Sequence, residues 1–380
     1  MPQSDKHFDA IVLGTGAVGS ATLFELAKRG HNTLGLDMHP PGHDRGSSHG
    51  QTRVIRQTYF EHPDYVPLAI SSYGLWAELE ERTGKRLYFQ TGLVQAGPKD
   101  GIVVPGVIKS TNQHNLAAEE ISNEEAARRF PQLQIPKDFA CVFEPSAGYL
   151  LVEDCVRAHI EAATKLNAAW KQESVTGWSS SDNGVTVQTE REEYSADQLI
   201  ITAGPWANTA LPLLHDKLTI VAKHLHWFPA AKKMTVESGC PVYLFETESG
   251  IYYGFPSLDG TTAKVAEHSG GILVDGNVLE FPRELDEPEY KGVCDFIDRC
   301  LPDVQPTGTA FDVCFYTMSP DEHFILGQHP KHERVHLAAG LSGHGFKFTP
   351  VLGKALVDLA MDGKTELPVE FLSPGRSEDF

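Results

Sequence analysis

Phe8-Asp9-Ala10-Ile11-Val12-Leu13-Gly14-Thr15-Gly16-Ala17-Val18-Gly19 runs from a short apolar stretch directly into a Gly-x-Gly-x-x-Gly turn. The apolar stretch reads as a buried parallel strand. Residues 21–29 read as a helix, with Ala21, Phe24, Ala27 and Lys28 at helical spacing and Gly30 as the stop. Thr33-Leu34-Gly35-Leu36 is a second strand, and it ends in Asp37. A glycine-rich turn alone is a weak signal, but a strand before it, a helix after it and an acid closing the next strand make a complete dinucleotide-binding βαβ unit. In such a unit Gly14 makes the tight turn, Gly16 admits a pyrophosphate to the backbone, and Gly19 lets helix and strand pack closely. The helix N-terminus offers free N–H groups and the positive end of its dipole to the phosphates. Asp37 is suited to a ribose hydroxyl, which favours NAD or FAD over NADP. The residues themselves do not separate FAD from NAD.

Working outward, residues 39–53 are rich in Gly, Ser, His and Pro and read as a loop. An amphipathic helix follows at 68–83. Short strand-like pieces punctuated by Pro and Gly fill 85–145, among them Leu93-Val94 and Cys141-Val142-Phe143. Residues 151–167 read as a helix; Val185-Thr186-Val187 and 198–204 read as strands. Strands and a helix near 288–300 occupy 218–313. A strand at 335–340 then enters a glycine-rich turn and a helix over 349–362. Nucleotide-fold pieces therefore recur at the beginning, middle and end, without internal repeat or low-complexity segment. The chain is expected to weave between two domains, one from 1–84, 147–217 and 315–380, the other from 85–146 and 218–314.

With 380 residues, 41% hydrophobic and 22% charged, the chain suits a globular protein of two domains. A formal net charge of −19 disfavours nucleic acid or an anionic membrane as partner, so an anionic small molecule would need a local cationic pocket. No stretch of about 20 apolar residues spans a bilayer. The start is too polar for a signal peptide, and Ser377-Glu378-Asp379-Phe380 is not a peroxisomal tripeptide. The six cysteines are dispersed, as reduced thiols of a cytoplasmic protein would be, and the 17 histidines form no HExxH-type pattern, so no metal is expected.

Three stretches carry more specific information. They are Ser47-Ser48-His49-Gly50-Gln51-Thr52-Arg53-Val54-Ile55-Arg56, then Gly250-Ile251-Tyr252-Tyr253-Gly254-Phe255-Pro256-Ser257 followed by Lys264 and His268. The third runs from Cys314-Phe315-Tyr316 through Asp321-Glu322-His323-Phe324 to Gly340-Leu341-Ser342-Gly343-His344-Gly345-Phe346-Lys347. Together they resemble the monomeric sarcosine oxidase family over nearly the whole chain. The resemblance implies an α/β fold, with a Rossmann-like FAD-binding domain of the glutathione-reductase type. It also implies an α+β catalytic domain whose mostly antiparallel sheet covers the flavin.

It further implies FAD held covalently through Cys314, with Gly14, Gly16, Gly19, Asp37, Ser47, Thr52, Arg53, Gly343, His344, Gly345 and Lys347 as cofactor-binding positions. Arg56 and Lys347 match the pair that holds the substrate carboxylate, a role for which a guanidinium fork and an ammonium are chemically fitted. Arg53 matches a cation beside the flavin ring, and Lys264 a cation that promotes oxygen reduction by stabilising developing negative charge. Tyr253, His268 and Tyr316 match the walls of the amine pocket; His344 suits a structural or a chemical role equally. The implied reaction is oxidation of a secondary-amine amino acid such as sarcosine by O₂, giving the demethylated amino acid, formaldehyde and H₂O₂. A monomer is implied as well.

The sequence departs from the family's usual pattern at three places. Val221-Ala222-Lys223 stands where Pro-x-Arg is common, Leu326-Gly327 where an Asp often follows, and Leu244 where sarcosine oxidases carry Met. One apolar side chain shifts substrate preference by only about 1–3 kcal/mol, so N-methyltryptophan and pipecolate remain alternatives. From other classes, an NAD-dependent dehydrogenase would explain residues 8–37 alone, and a non-catalytic flavin-binding module would not need Lys264 or Arg56.

Overall fold

The computed structural model describes residues 7–308 and 310–376; the outermost residues of the segments expected at 1–84 and 315–380 lie outside the described residues. The first strand, His7–Leu13, is followed by the helix Ala17–Lys28 and the strand Thr33–Asp37. The helix starts earlier than its apolar spacing predicts, because Gly16 itself is the N-cap and Ala17 to Ser20 are already buried.

The first sheet has five parallel strands in the order Ala169–Gln172, Thr33–Asp37, His7–Leu13, Glu193–Ile201 and His332–Ala339. An antiparallel pair, Val175–Ser181 with Gly184–Thr189, and the strand Ile325–His329 flank it. On one face the helix Ala17–Lys28 packs between the helices Val152–Lys165 and Thr349–Val357. The last contact is close: a Cβ on Gly353 would meet the Ala21 carbonyl carbon at 2.9 Å. The helix expected over 349–362 ends in a π-helical turn, Asp358–Asp362.

A second, mostly antiparallel sheet is ordered Ala310–Met318, Thr219–Pro229, Thr262–Glu267, Gly250–Gly254, Val242–Thr247, Leu93–Pro98, Phe139–Glu144 and Glu119–Glu120. The short strand Ile272–Leu273 also pairs, antiparallel, with Thr219–Pro229, and among the described residues of this sheet only Val242–Thr247 and Leu93–Pro98 pair in parallel. Ala310–Met318 runs across the boundary expected at 314/315, so Phe315 to Met318 belong to this sheet and not to the first. A third small sheet is made of Thr52–Ile55, Gly148–Leu151 and Tyr88–Gln90.

The strand-like reading of 85–145 misses two helices, Val103–His114 and Asn123–Arg129. Pro105 sits in the first turn of the former, where its absent N–H costs no intrahelical bond. Gly106 is there for clearance, since a Cβ would meet the Phe60 carbonyl at 2.7 Å. Both residues look like turn signals when read without their neighbours.

Candidate active site

The glycine turn is shaped by two different demands. Gly14 has φ +84°, and a Cβ on Gly19 would lie 1.8 Å from the Gly14 carbonyl, so the fold itself requires both. Gly16 is another matter. A Cβ there would meet only Ser48 Oγ, at 3.5 Å, so no protein atom forbids a side chain. The space before the helix N-terminus fits a group from outside the chain, and no acidic side chain occupies the first helical turn.

That space is the mouth of a cavity of about 860 Å³ lined by Gly14, Gly16, Asp37, Ser47 and Thr202, among others. Asp37 Oδ2 accepts from the Thr15 N–H at 2.7 Å, which aims the carboxylate across the turn as a ribose partner needs. Gly19 lies behind the turn and does not line this cavity.

A second cavity, of about 100 Å³, shares Ser47, Thr202 and Gly204 with the first and continues along Arg53, Tyr316, Gly343 and Gly345. A third, of about 60 Å³, shares Arg53, Tyr316 and Gly343 with the second. The three form one path from the nucleotide turn to a small polar end. Arg56, Lys347, Tyr253, His268 and His344 all line that end, although up to 291 positions separate Arg56 from Lys347 in sequence.

The polar end is strongly cationic. Lys347 Nζ donates to the His344 carbonyl at 2.7 Å; burial and then the Arg56 charge lower its pKa to about 7. Arg56 donates to the Thr58 carbonyl at 2.6 Å and lies over the Tyr59 and Phe60 rings. Its other nitrogen contacts both oxygens of Glu61, at 2.6 and 2.7 Å. Burial acts to raise the Glu61 carboxyl, but Arg56, His344 and Lys347 outweigh it and hold the pKa at about 2. Sequence reading missed Glu61. It also missed Glu144, which accepts from the Gln57 and Thr58 N–H groups at 2.7 and 3.0 Å and so fixes the turn after Arg56.

The two histidines add no charge. Burial lowers His268 to about 4 and His344 to about 3. His344 Nε2 faces the Glu322 carbonyl at 3.1 Å and must donate to it; Nδ1 then accepts from Tyr59 Oη. These contacts fix the tautomer. Tyr316 Oη lies 3.4 Å from His268 Nδ1, and alternation along Ala310–Met318 puts Tyr316 on the same sheet face as Cys314.

Cys314 is fully buried, with Sγ 3.1 Å from Arg53 Nη2 and 3.4 Å from the Ser47 carbonyl. Burial favours the neutral thiol, but Arg53, His49 and Lys264 prevail and lower its pKa from 9.0 to about 7. His49 is a contributor that sequence reading quoted without a role. Despite burial, its pKa is raised to about 9 by Asp312, 3.1 Å from Nδ1, and by Cys314.

Lys264 reaches the loop backbone around Thr52, outside the cavity walls. Lys264 Nζ donates to the Gly50 and Thr52 carbonyls at 2.6 and 2.9 Å, and Thr52 Oγ1 faces the same ammonium at 3.5 Å. Neither residue lines any of the three cavities. A buried ammonium must satisfy its donors, and in this structure it does so on the loop backbone behind Arg53. Among the described residues no group of three or more His, Cys, Asp or Glu could hold a metal ion.

Comparison with known proteins identifies the family and the fold. Residues 9–359 match the family described as FAD dependent oxidoreductase. The monomeric sarcosine oxidase of Streptomyces avermitilis is 38% identical over 376 residues, covering 97% of each chain. The N-methyl-L-tryptophan oxidase of Yersinia pestis is 34% identical over 373 residues, covering 97% of this chain and 99% of that one. In fold, a mutant of NikD, an unusual amino acid oxidase essential for nikkomycin biosynthesis, superposes with a TM-score of 0.86 at 23% identity, with 97% of each chain covered. Glycine oxidase from Geobacillus kaustophilus follows at 0.80 and 19%, over 98% of this chain and 99% of that one. The reading as an NAD-dependent dehydrogenase is thereby set aside. The chain belongs to the FAD-dependent oxidoreductase family and, within it, to the monomeric sarcosine oxidase family of flavin-dependent amine oxidoreductases.

Proposed function

We propose that the chain oxidises a small N-methyl amino acid, with sarcosine as the preferred substrate, and passes the electrons to O₂. The observation that carries this is the meeting of Arg56 and Lys347 in one cavity that opens, past Arg53 and Tyr316, onto the nucleotide path. FAD, when bound along that path, supplies the two-electron acceptor that O₂ later regenerates with release of H₂O₂. In this reading the strands of the first sheet, with residues 7–84, 147–217 and 319–376, form the FAD-binding domain, and the second sheet forms the catalytic domain. Cys314, as a thiolate held by Arg53 and His49, would join the flavin's 8α carbon as a thioether; one 8α hydrogen would leave as a proton, and the two electrons released would pass through the flavin to O₂. The enzyme is read as a cytoplasmic monomer; no helix among the described residues is long and apolar enough to cross a membrane.

Arg56 and Lys347 bind the carboxylate and so orient the C–N bond. Glu61 competes with that carboxylate for Arg56, because its two oxygens already hold one nitrogen of the guanidinium. The cations and the neutral histidines favour loss of the substrate's ammonium proton, which the oxidation requires. The imine product hydrolyses to formaldehyde and the demethylated amino acid.

Size supports the small substrate. A water needs about 10–15 Å³ of such space, so about 60 Å³ holds about five water-sized groups. Sarcosine is close to this size; an indole side chain exceeds it, and Leu244 and Phe60 are among the walls. Peroxide release measured across sarcosine, N-methylalanine, proline, pipecolate and N-methyltryptophan tests the assignment. Sarcosine is expected to give the highest kcat/KM. Preference for N-methyltryptophan would overturn the size argument, and no peroxide from any of the five would overturn the reaction.

A further inference from the structure

The lysine behind the loop raises a question the reaction alone does not answer: what holds an ammonium in place, and charged, where water is excluded and an arginine is close? Burial and then Arg53 push Lys264 well below the usual lysine range, while Cys314, Glu153 and Asp312 act the other way. Arg53 comes from Thr52–Ile55, Cys314 and Asp312 from Ala310–Met318, and Glu153 from the first turn of Val152–Lys165.

Of these acids, Glu153 has a direct connection. Its Oε1 accepts from the Gly50 N–H at 2.7 Å and from the Gln51 N–H at 3.1 Å. The Gln51 N–H and the Gly50 carbonyl belong to one peptide group. That carbonyl accepts Lys264 Nζ at 2.6 Å. A single peptide plane is therefore held by a carboxylate at its N–H end and an ammonium at its C=O end. The two charges polarise the amide in the same sense, so each bond strengthens the other.

The backbone supports this independently. Gln51 has φ +67° and Gly50 φ +90°, and the Thr52 N–H donates back to the Gly50 carbonyl at 2.8 Å. This is a tight turn with a non-glycine residue in the left-handed region, a conformation that persists only where surroundings impose it. Trp227 Nε1 restrains the Gln51 side chain at 2.7 Å, but Glu153 and Lys264 are the groups that grip the peptide itself.

We propose that Glu153 is a positioning residue: acting through the Gly50–Gln51 peptide, it holds the Lys264 ammonium ready for the oxygen half of the reaction. The proposal rests on the reading that Lys264 serves that half. Glu153 touches neither substrate path nor nucleotide cavity.

The test uses the flavin-loaded enzyme with Glu153→Gln, which keeps an acceptor but removes the charge, and with Lys264→Met. Three quantities are measured: reoxidation by O₂ across pH, anaerobic reduction by the amine, and hydrogen exchange at the Gly50 and Gln51 amides. Glu153→Gln is expected to slow reoxidation about tenfold above the inflection and to move that inflection to lower pH, as a weaker hold on the lysine proton requires. Anaerobic reduction should stay within about twofold. Lys264→Met should speed exchange at both amides about tenfold, although the lysine touches neither N–H; that readout needs no turnover. Glu153→Asp, which keeps the charge on a shorter arm, should fall between, and it replaces Glu153→Gln if that variant does not fold. If Lys264→Met slows reoxidation while Glu153→Gln leaves its rate and pH profile unchanged, the positioning role is wrong. If Lys264→Met reoxidises normally, the reading of Lys264 fails and this proposal goes with it.

Discussion

The covalent attachment of FAD at Cys314 can be probed through His49, which acts on the thiol without lining the two smaller cavities. A thiol lowered from 9.0 to about 7 is half thiolate at pH 7, about fiftyfold more than at its ordinary value. The gain in rate is smaller, because thiolate nucleophilicity falls with basicity, with a Brønsted slope of about 0.45. That removes roughly eightfold and leaves about sixfold. Removing His49 by His49→Asn takes away the second-ranked opposing influence after Arg53. Losing it moves the thiol back toward its ordinary value, and each unit of that rise brings about threefold higher intrinsic reactivity, so the profiles are worked for a rise of about one unit. The two pH profiles should then cross. Below pH 6 the variant should attach flavin about threefold more slowly, above pH 9 about threefold faster, with equal rates near pH 7.5. The assay is reconstitution of flavin-depleted protein with FAD, followed as yellow colour that survives acid precipitation. Cys314→Ser should give none. Parallel profiles with an unmoved inflection would show that the thiol's ionisation does not govern attachment, and acid-soluble flavin from the unaltered protein would remove the covalent bond altogether.

Other consequences follow from the same geometry. Gly19→Ala forces a Cβ to 1.8 Å from the Gly14 carbonyl and should cost about 3 kcal/mol or more in denaturant unfolding. Gly16→Ala, with only a 3.5 Å contact, should unfold like the parent yet incorporate less flavin. Because the free Lys347 ammonium titrates near 7, acetate binding followed by flavin absorbance should be tight below pH 7 and weaken as the proton leaves above it. Lys347→Met should remove that inflection and bind weakly throughout. Glu61→Gln releases Arg56 and should tighten acetate about tenfold at pH 6, as for loss of a competing charged hydrogen bond. The advantage should shrink above pH 7, since Glu61 also supports the Lys347 charge; an unchanged Kd at pH 6 would mean that Glu61 does not compete for the guanidinium.

The nucleotide end of the site was legible because its information is local. Strand, turn, helix and acid lie within residues 7–37, and periodicity with glycine chemistry is enough to read them. The catalytic end is a product of sheet register. Cys314 stands opposite Lys223, Leu244 opposite Tyr253, and Arg53 opposite Leu150, and no spacing in the sequence announces these pairings. Resemblance supplied the residues that carry a family's chemistry, yet it passed over the acids that set their charge. Glu61, Glu144, Glu153 and Asp312 are short-range partners of Arg56, Thr58, the Gly50–Gln51 peptide and His49, and as isolated letters they are ordinary acids in a chain of net charge −19. Their significance comes from desolvation: a cation buried beside other cations needs opposing charge nearby, and the fold brings it from wherever the sheets converge. In a strongly acidic chain, then, the informative question to ask of sequence is which cations become buried, because their burial determines which few of the many acids matter.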